Sequence, residues 1–251
     1  MSKKSYQVSV VDNLNITDKI KTKIQQVLSQ TIEFPKTDST SLEQIINRIG
    51  NSEIVLGNWN TRIDSEVLSQ CPNIKYVGIF GTSMAGIDIK LLENKSIRYS
   101  NVIDYADEGT AEYVFARLLT VVKGIGQNPW GGFRRDLSKK KIGIIGLGAV
   151  GIEVAKIAKG FNMEVIYFSK SRNSKMEKKY GIRYCTMDEL IKFADIISLN
   201  VPKNTIVLDT KVLSQMPDNR IIINTCLGTV VDYNALKQWL VKSENNIYIN
   251  D

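Results

Sequence analysis

The chain has 251 residues, 43% hydrophobic and 24% charged, with a formal net charge of +7, enough apolar material for one large or two modest globular domains. Its lysines are spread along the chain without a long basic block, and no apolar run reaches the length of a signal peptide or membrane span. Nucleic-acid and membrane partners are therefore not expected, and a cytoplasmic protein is. Three cysteines, Cys71, Cys185 and Cys226, show neither metal-ligand nor disulfide spacing, and histidine is absent; no metal site is expected, and no histidine of these residues acts as acid or base.

In chain order, β-rich runs at Gln7–Val11, Glu53–Leu56, Lys75–Phe80, Ile142–Ile145, Glu164–Phe168, Asp195–Leu199 and Arg220–Ile223 alternate with helical patterns. Such alternation predicts parallel sheets with crossover helices. Ile142–Ile145 and Ile221–Ile223 are apolar without period-two alternation, as expected of central strands covered on both faces. Ala111, Val114, Leu118 and Val121 recur at helical spacing, which suits a core or dimer face. Gln127–Gly132, Gln-Asn-Pro-Trp-Gly-Gly, breaks helical periodicity and suggests a hinge nearby.

After the strand ending at Ile145 comes Gly146-Leu147-Gly148-Ala149-Val150-Gly151, then a helix with Val150, Val154 and Ile157 on one face. Strand, glycine turn and helix stand in the order of a dinucleotide-binding Rossmann domain. Gly146 permits the tight turn, Gly148 admits a pyrophosphate to the backbone, and Gly151 lets the helix pack on the strand; free amides at the helix start, including those of Ala149 and Val150, bind the anion. About 20 residues on, where an NAD site usually carries Asp or Glu for the ribose hydroxyls, the chain has Ser169-Lys170-Ser171-Arg172. Hydroxyls and cations without a carboxylate suit a 2′-phosphate, so NADP(H) is the preferred cofactor, with NAD(H) as the alternative.

Beyond the glycine turn the sequence resembles the D-2-hydroxyacid dehydrogenases. The resemblance rests on Cys71-Pro72-Asn73-Ile74-Lys75-Tyr76-Val77 followed by Ser83-Met84-Ala85-Gly86-Ile87-Asp88; on Tyr105–Tyr113; on Leu137–Lys141; on Ser198-Leu199-Asn200-Val201-Pro202; and on Asn224-Thr225 through Val231-Asp232 with Ala235-Leu236. It implies an α/β protein of two doubly wound parallel-sheet domains: a flavodoxin-like substrate domain at 1–103 and a Rossmann cofactor domain at 104–251, the nicotinamide lying in the cleft between them. It implies that Ser83, Met84, Ala85 and Gly86 bind a substrate carboxylate through backbone amides. Asn200, Val201, Pro202 and Thr205, with Thr225, Cys226 and Leu227, become the cofactor-facing strand ends. A small 2-oxo or 2-hydroxy acid is the implied partner, and a homodimer the implied assembly.

The departures fall where the chemistry is expected. The family's Asn-Thr-Ala-Arg-Gly, whose arginine binds the substrate carboxylate and carbonyl, reads Asn224-Thr225-Cys226-Leu227-Gly228 here; Leu227 can neither pair with a carboxylate nor polarise a carbonyl. Asn200 stands where the family usually has histidine. The sequence stops at Asp251, ahead of the segments that carry the family's glutamate and acid-base histidine, so a truncated chain and an exposed edge of the substrate domain are expected. Catalytic residues are left unassigned. The expected function is hydride transfer to or from a small 2-oxo or 2-hydroxy acid with weakened or altered catalysis; the alternatives are an inactive cofactor-binding regulator and a subunit that needs a partner chain. Cys226 replaces a small alanine and is expected to pack rather than react.

Overall fold

Two separate parallel sheets carry the chain. The computed structural model describes residues 6–103 and 105–251; the amino-terminal residues Met1–Ser5 and the expected boundary residue Asp104 lie outside the described residues. The chain divides into two compact units, Met1–Tyr105 and Ala106–Asp251.

The first unit contains Val8–Val10 (β1), Asp18–Leu28 (α1), Leu42–Ile49 (α2), Ile54–Asn58 (β2), Ser65–Gln70 (α3), Tyr76–Phe80 (β3), Ile89–Asn94 (α4) and Arg98–Asn101 (β4). Its strands lie in the order β1-β2-β3-β4, all parallel. Successive strand residues point to opposite faces. Val55 accordingly shares a core with Ile45 and Ile49 of α2, Val67 of α3 and Leu92 of α4, whereas Ile54 and Leu56 pack with Ile24 and Leu28 of α1. The α1 face is only partly covered: a groove of about 500 Å³ runs between Ile20, Val27 and Leu28 on one side and Leu56 and Tyr76 on the other.

The second unit begins with Asp107–Lys123 (α5). It continues through Lys141–Ile145 (β5), Ala149–Gly160 (α6), Glu164–Phe168 (β6), Ser174–Tyr180 (α7), Arg183–Tyr184 (β7), Met187–Phe193 (α8), Ile196–Leu199 (β8), Thr210–Gln215 (α9), Ile221–Asn224 (β9), Tyr233–Leu240 (α10) and Ile247–Asn250 (β10). The strand order is β10-β9-β8-β5-β6-β7, all parallel. The chain runs outward from β5 through β6 to β7, then crosses back to lay β8 against β5. This reversal is the switch point at which doubly wound sheets open a crevice at the carboxyl ends of their strands. β5, β8 and β9 are buried almost throughout, as the unbroken apolar runs predict.

Ala111, Val114, Leu118 and Val121 are buried in the core of their own unit, against Ile142, Val154 and Ala155, so this stripe is core and not a dimer face. The Gln127–Gly132 stretch is likewise no hinge between the units, because it lies within the second. Trp130 is 3% exposed in the same core and its indole N–H donates to the Asn245 carbonyl at 2.9 Å. Burying an indole requires such a partner, and the pair fixes the stretch where its glycines break the helix.

Gly143 in the middle of β5 decides how closely α8 packs on the sheet. A Cβ there would lie 2.6 Å from Leu190 Cδ2 and 2.9 Å from Ala194 Cβ, and the segment they belong to would have to move. Gly143→Ala is expected to cost about 1–3 kcal/mol, lowering the melting temperature by roughly 3–10 °C in a thermal scan.

Candidate cofactor site

The glycine turn follows β5 at the switch point. Gly146 has φ +95°, a conformation L side chains rarely adopt, and a Cβ on it would collide with the Asn200 carbonyl oxygen. Its N–H donates to the Phe168 carbonyl at 2.8 Å, tying the turn to the end of β6. A Cβ on Gly151 would collide with the Gly146 carbonyl oxygen and lie 3.3 Å from Ile144 Cγ2, so only glycine lets α6 pass this close to the turn. Gly148 differs: a Cβ there meets nothing within 4 Å. It is the N-cap of α6 and contributes no side-chain cap, which leaves the first amides of the helix, Ala149 and Val150 among them, for another acceptor. Free amides on a side that is open at Gly148, at the positive end of a helix dipole, form an anion-binding surface.

The ends of β8 and β9 adjoin this turn. Asn200 N–H donates to the Ile145 carbonyl at 2.8 Å, and the Asn200 amide nitrogen donates to Ser198 Oγ at 3.0 Å. Asn200 Oδ1 is buried without a partner among the described residues. Val201 N–H donates to Cys226 Sγ at 3.2 Å, while Cys226 N–H donates to Asn224 Oδ1 at 3.0 Å. Thr205 N–H closes a turn on the Pro202 carbonyl at 3.2 Å, and Thr229 N–H donates to Asn204 Oδ1 at 3.1 Å, so the loops after β8 and β9 pack on each other. Burial pushes the Cys226 thiol above its usual range, with only the Val201 N–H opposing. A thiol so placed stays protonated and packs rather than attacks.

Leu227, beside Thr225 and Cys226, is 53% exposed and has no side-chain donor. On the far edge of the glycine turn, Ser169 is partly buried and Lys170, Ser171 and Arg172 are exposed. Among the described residues Lys170 has no ion-pair or hydrogen-bond partner, whereas Arg172 donates from Nε and Nη2 to Glu177 at 2.9 and 2.8 Å. Neither composition nor spacing revealed that partner, because it requires α7 to fold back over the turn.

In the first unit the Ser83–Gly86 loop follows β3. Gly86 sits where a Cβ would collide with the Thr61 carbonyl, and Ile63 N–H donates to the Gly86 carbonyl at 2.9 Å. Ser83 Oγ accepts from Ala85 N–H at 3.3 Å, while the amides of Met84 and Gly86 donate to no protein acceptor among the described residues. Among those residues there is also no cluster of potential metal ligands, and no helix is long and apolar enough to cross a membrane.

Gly148 and Gly151 predict separable effects. Gly148→Ala fills open space and loses only an N-cap preference, so its stability loss is expected to stay within about 1 kcal/mol, while nicotinamide nucleotide binding weakens about tenfold or more, ~1.4 kcal/mol. Gly151→Ala gains helix propensity of up to about 1 kcal/mol but sets a methyl against backbone, and is expected to destabilise the fold. Thermal scans and fluorescence titration of the two variants distinguish them.

Residues 120–251 match the family described as D-isomer specific 2-hydroxyacid dehydrogenase, NAD binding domain. The chain is 28% identical over 225 residues to a hydroxypyruvate reductase of Blautia hydrogenotrophica, covering 82% of this chain and 69% of that protein. It is 30% identical over 214 residues to a glyoxylate reductase of Pyrococcus furiosus, covering 77% and 64%; the chain thus spans about two thirds of the length of these relatives. Among solved structures, an acyclic imino acid reductase in complex with NADPH and D-Arg superimposes with a TM-score of 0.79 at 29% identity, over 96% of this chain and 88% of that one. A D-lactate dehydrogenase of Aquifex aeolicus complexed with NAD and lactic acid gives a TM-score of 0.79 at 25% identity, over 95% and 75%. With its Rossmann sheet, its glycine turn and this match, the chain belongs to the D-isomer specific 2-hydroxyacid dehydrogenase family and carries that family's nicotinamide-cofactor-binding domain.

Proposed function

We propose that the protein moves a hydride between NADP(H) and a small 2-oxo or 2-hydroxy acid, with catalysis weakened at Leu227. The observation that carries this reading is the open, amide-lined turn at Gly148, at the start of α6 and at the switch point of the sheet. Gly146, Gly148, Ala149, Val150 and Gly151 take the pyrophosphate there, and Asn200, Val201, Pro202, Thr205, Thr225 and Cys226 line the nicotinamide half. Ser169, Lys170, Ser171 and Arg172 form the ribose-recognition turn, and NADP(H) is preferred over NAD(H) because no carboxylate of that turn opposes a 2′-phosphate.

The substrate's carboxylate is taken by the amides of Ser83–Gly86, of which Met84 and Gly86 have no protein acceptor. Hydride addition places negative charge on the carbonyl oxygen, which, with no histidine among these residues, takes its proton from a lysine, tyrosine, carboxyl group or water; a donor aimed at that charge is worth a few kcal/mol. Leu227 stands where the family's arginine supplies that donor. Glyoxylate and hydroxypyruvate, named for the curated relatives, are the first substrates to test. The free cysteines suit a reducing cytoplasm, and a homodimer is the proposed assembly.

NADPH is expected to bind more tightly than NADH at fixed salt, and Ser169→Asp to reverse the order by setting like charge against the phosphate; equal affinities in the unaltered protein would overturn the NADP(H) reading. Reduction of glyoxylate or hydroxypyruvate is expected to fall below the enzyme median of about 10 per second. Leu227→Arg should raise kcat/KM by about 10²- to 10³-fold, the range for restoring one charged donor. Turnover at or above that median without the arginine would show that another group polarises the carbonyl.

A further inference from the structure

The turn after β6 carries two cations, and the structure treats them differently. The Arg172 guanidinium donates in a fork to both carboxylate oxygens of Glu177, from Nε at 2.9 Å and Nη2 at 2.8 Å. The Glu177 side chain is 14% exposed, against 61% for Arg172, and one of its oxygens also accepts from the Tyr167 hydroxyl at 2.8 Å. Tyr167 is fully buried, and its hydroxyl in turn accepts the Asn173 N–H at 2.8 Å. Asn173 caps α7 by accepting from Met176 N–H at 3.2 Å. Strand β6, the turn and the first turn of α7 are thus bound through one carboxylate. Lys170 stands outside this network, exposed and with no ion-pair or hydrogen-bond partner among the described residues.

Building on the reading of this turn as the 2′-phosphate site, we propose that Glu177 is a positioning residue for cofactor selection: it fixes Arg172 as a strut of the turn and leaves Lys170, with Ser169 and Ser171, to receive the phosphate. A forked guanidinium–carboxylate pair is geometrically specific and carries no net charge. Arg172 therefore adds little attraction for an incoming dianion, whereas Lys170 adds a full charge with three free donors. Arg172 is needed because it masks Glu177. Without it, a carboxylate held by Tyr167 would stand beside the phosphate.

This gives a rescue pattern that direct contact between Arg172 and the phosphate does not. NADPH and NADH affinities are measured by nicotinamide fluorescence at fixed ionic strength for the unaltered protein, Lys170→Met, Arg172→Met, Glu177→Gln and the double variant Arg172→Met/Glu177→Gln, each checked by its melting temperature. Lys170→Met is expected to lower the NADPH-to-NADH affinity ratio about tenfold, the scale of one charge-assisted hydrogen bond. Arg172→Met lowers the ratio by a similar factor. The double variant returns it to within about threefold of the unaltered protein, because interacting residues are non-additive where independent ones add. Glu177→Gln keeps an acceptor for Tyr167 and tests the charge alone; it is expected to leave the ratio unchanged or raised. A double variant as poor as Arg172→Met, in a protein that does prefer NADPH, would overturn this proposal and leave the turn's role standing. No preference in the unaltered protein would overturn the reading of the turn, and the proposal with it.

Discussion

The approach of α6 to the end of β5 is the contact on which the rest of the second unit depends. Gly151 passes so close to the Gly146 carbonyl, and Gly146 so close to the Asn200 carbonyl, that three backbone segments meet with no side chain between them. That crossing allows β5 to take the positive φ at Gly146, turn sharply and start a helix directly above the sheet. A helix begun this way presents amides without partners at its first turn, and the neighbouring strand β8 supplies the opposite wall. Structural necessity and the proposed anion binding therefore meet in one turn, Gly146 and Gly151 answering to the first and Gly148 to the second.

This crossing was legible in the sequence because it is written in residue types with no substitute. The apolar runs of β5 and β9 were equally plain, since a strand covered on both faces needs no alternation. The edge strands β4 and β7 were not. β4 reads Arg-Tyr-Ser-Asn with alternate exposure, β7 is the two residues Arg183 and Tyr184, and both owe their form to pairing with a neighbour rather than to local pattern. The stripe on α5 announced burial without saying in what, and the structure places it in its own core. Trp130 shows the same limit: its glycine-rich surroundings suggested flexibility, but an indole hydrogen-bonded to a carbonyl far along the chain fixes it.

Charges were harder to read than shape. The basic turn after β6 was visible as composition, yet Arg172 and Glu177 form a pair only because Asn173 caps α7 and brings the helix back over the turn. A sequence gives the sum of charges in a segment; folding decides which of them face outward unneutralised. The net charge of +7 is therefore a poor guide to any single site, and the unpaired lysine counts for more than the total.

The site also separates binding from polarisation in physical terms. The amides proposed to hold a pyrophosphate act through backbone geometry, which the Gly146–Gly151 crossing and the Asn200 and Cys226 contacts fix without reference to residue 227. On the proposed reading, polarising a carbonyl requires a side-chain donor at the position of Leu227, which is apolar, while the loop around it is held by its own contacts: Gly228 has φ +72° and Thr229 N–H donates to Asn204. On that reading, the exchange at residue 227 acts on transition-state charge and not on fold. On this proposal the cofactor half of the site remains intact while hydride transfer slows, because the two demands rest on different atoms.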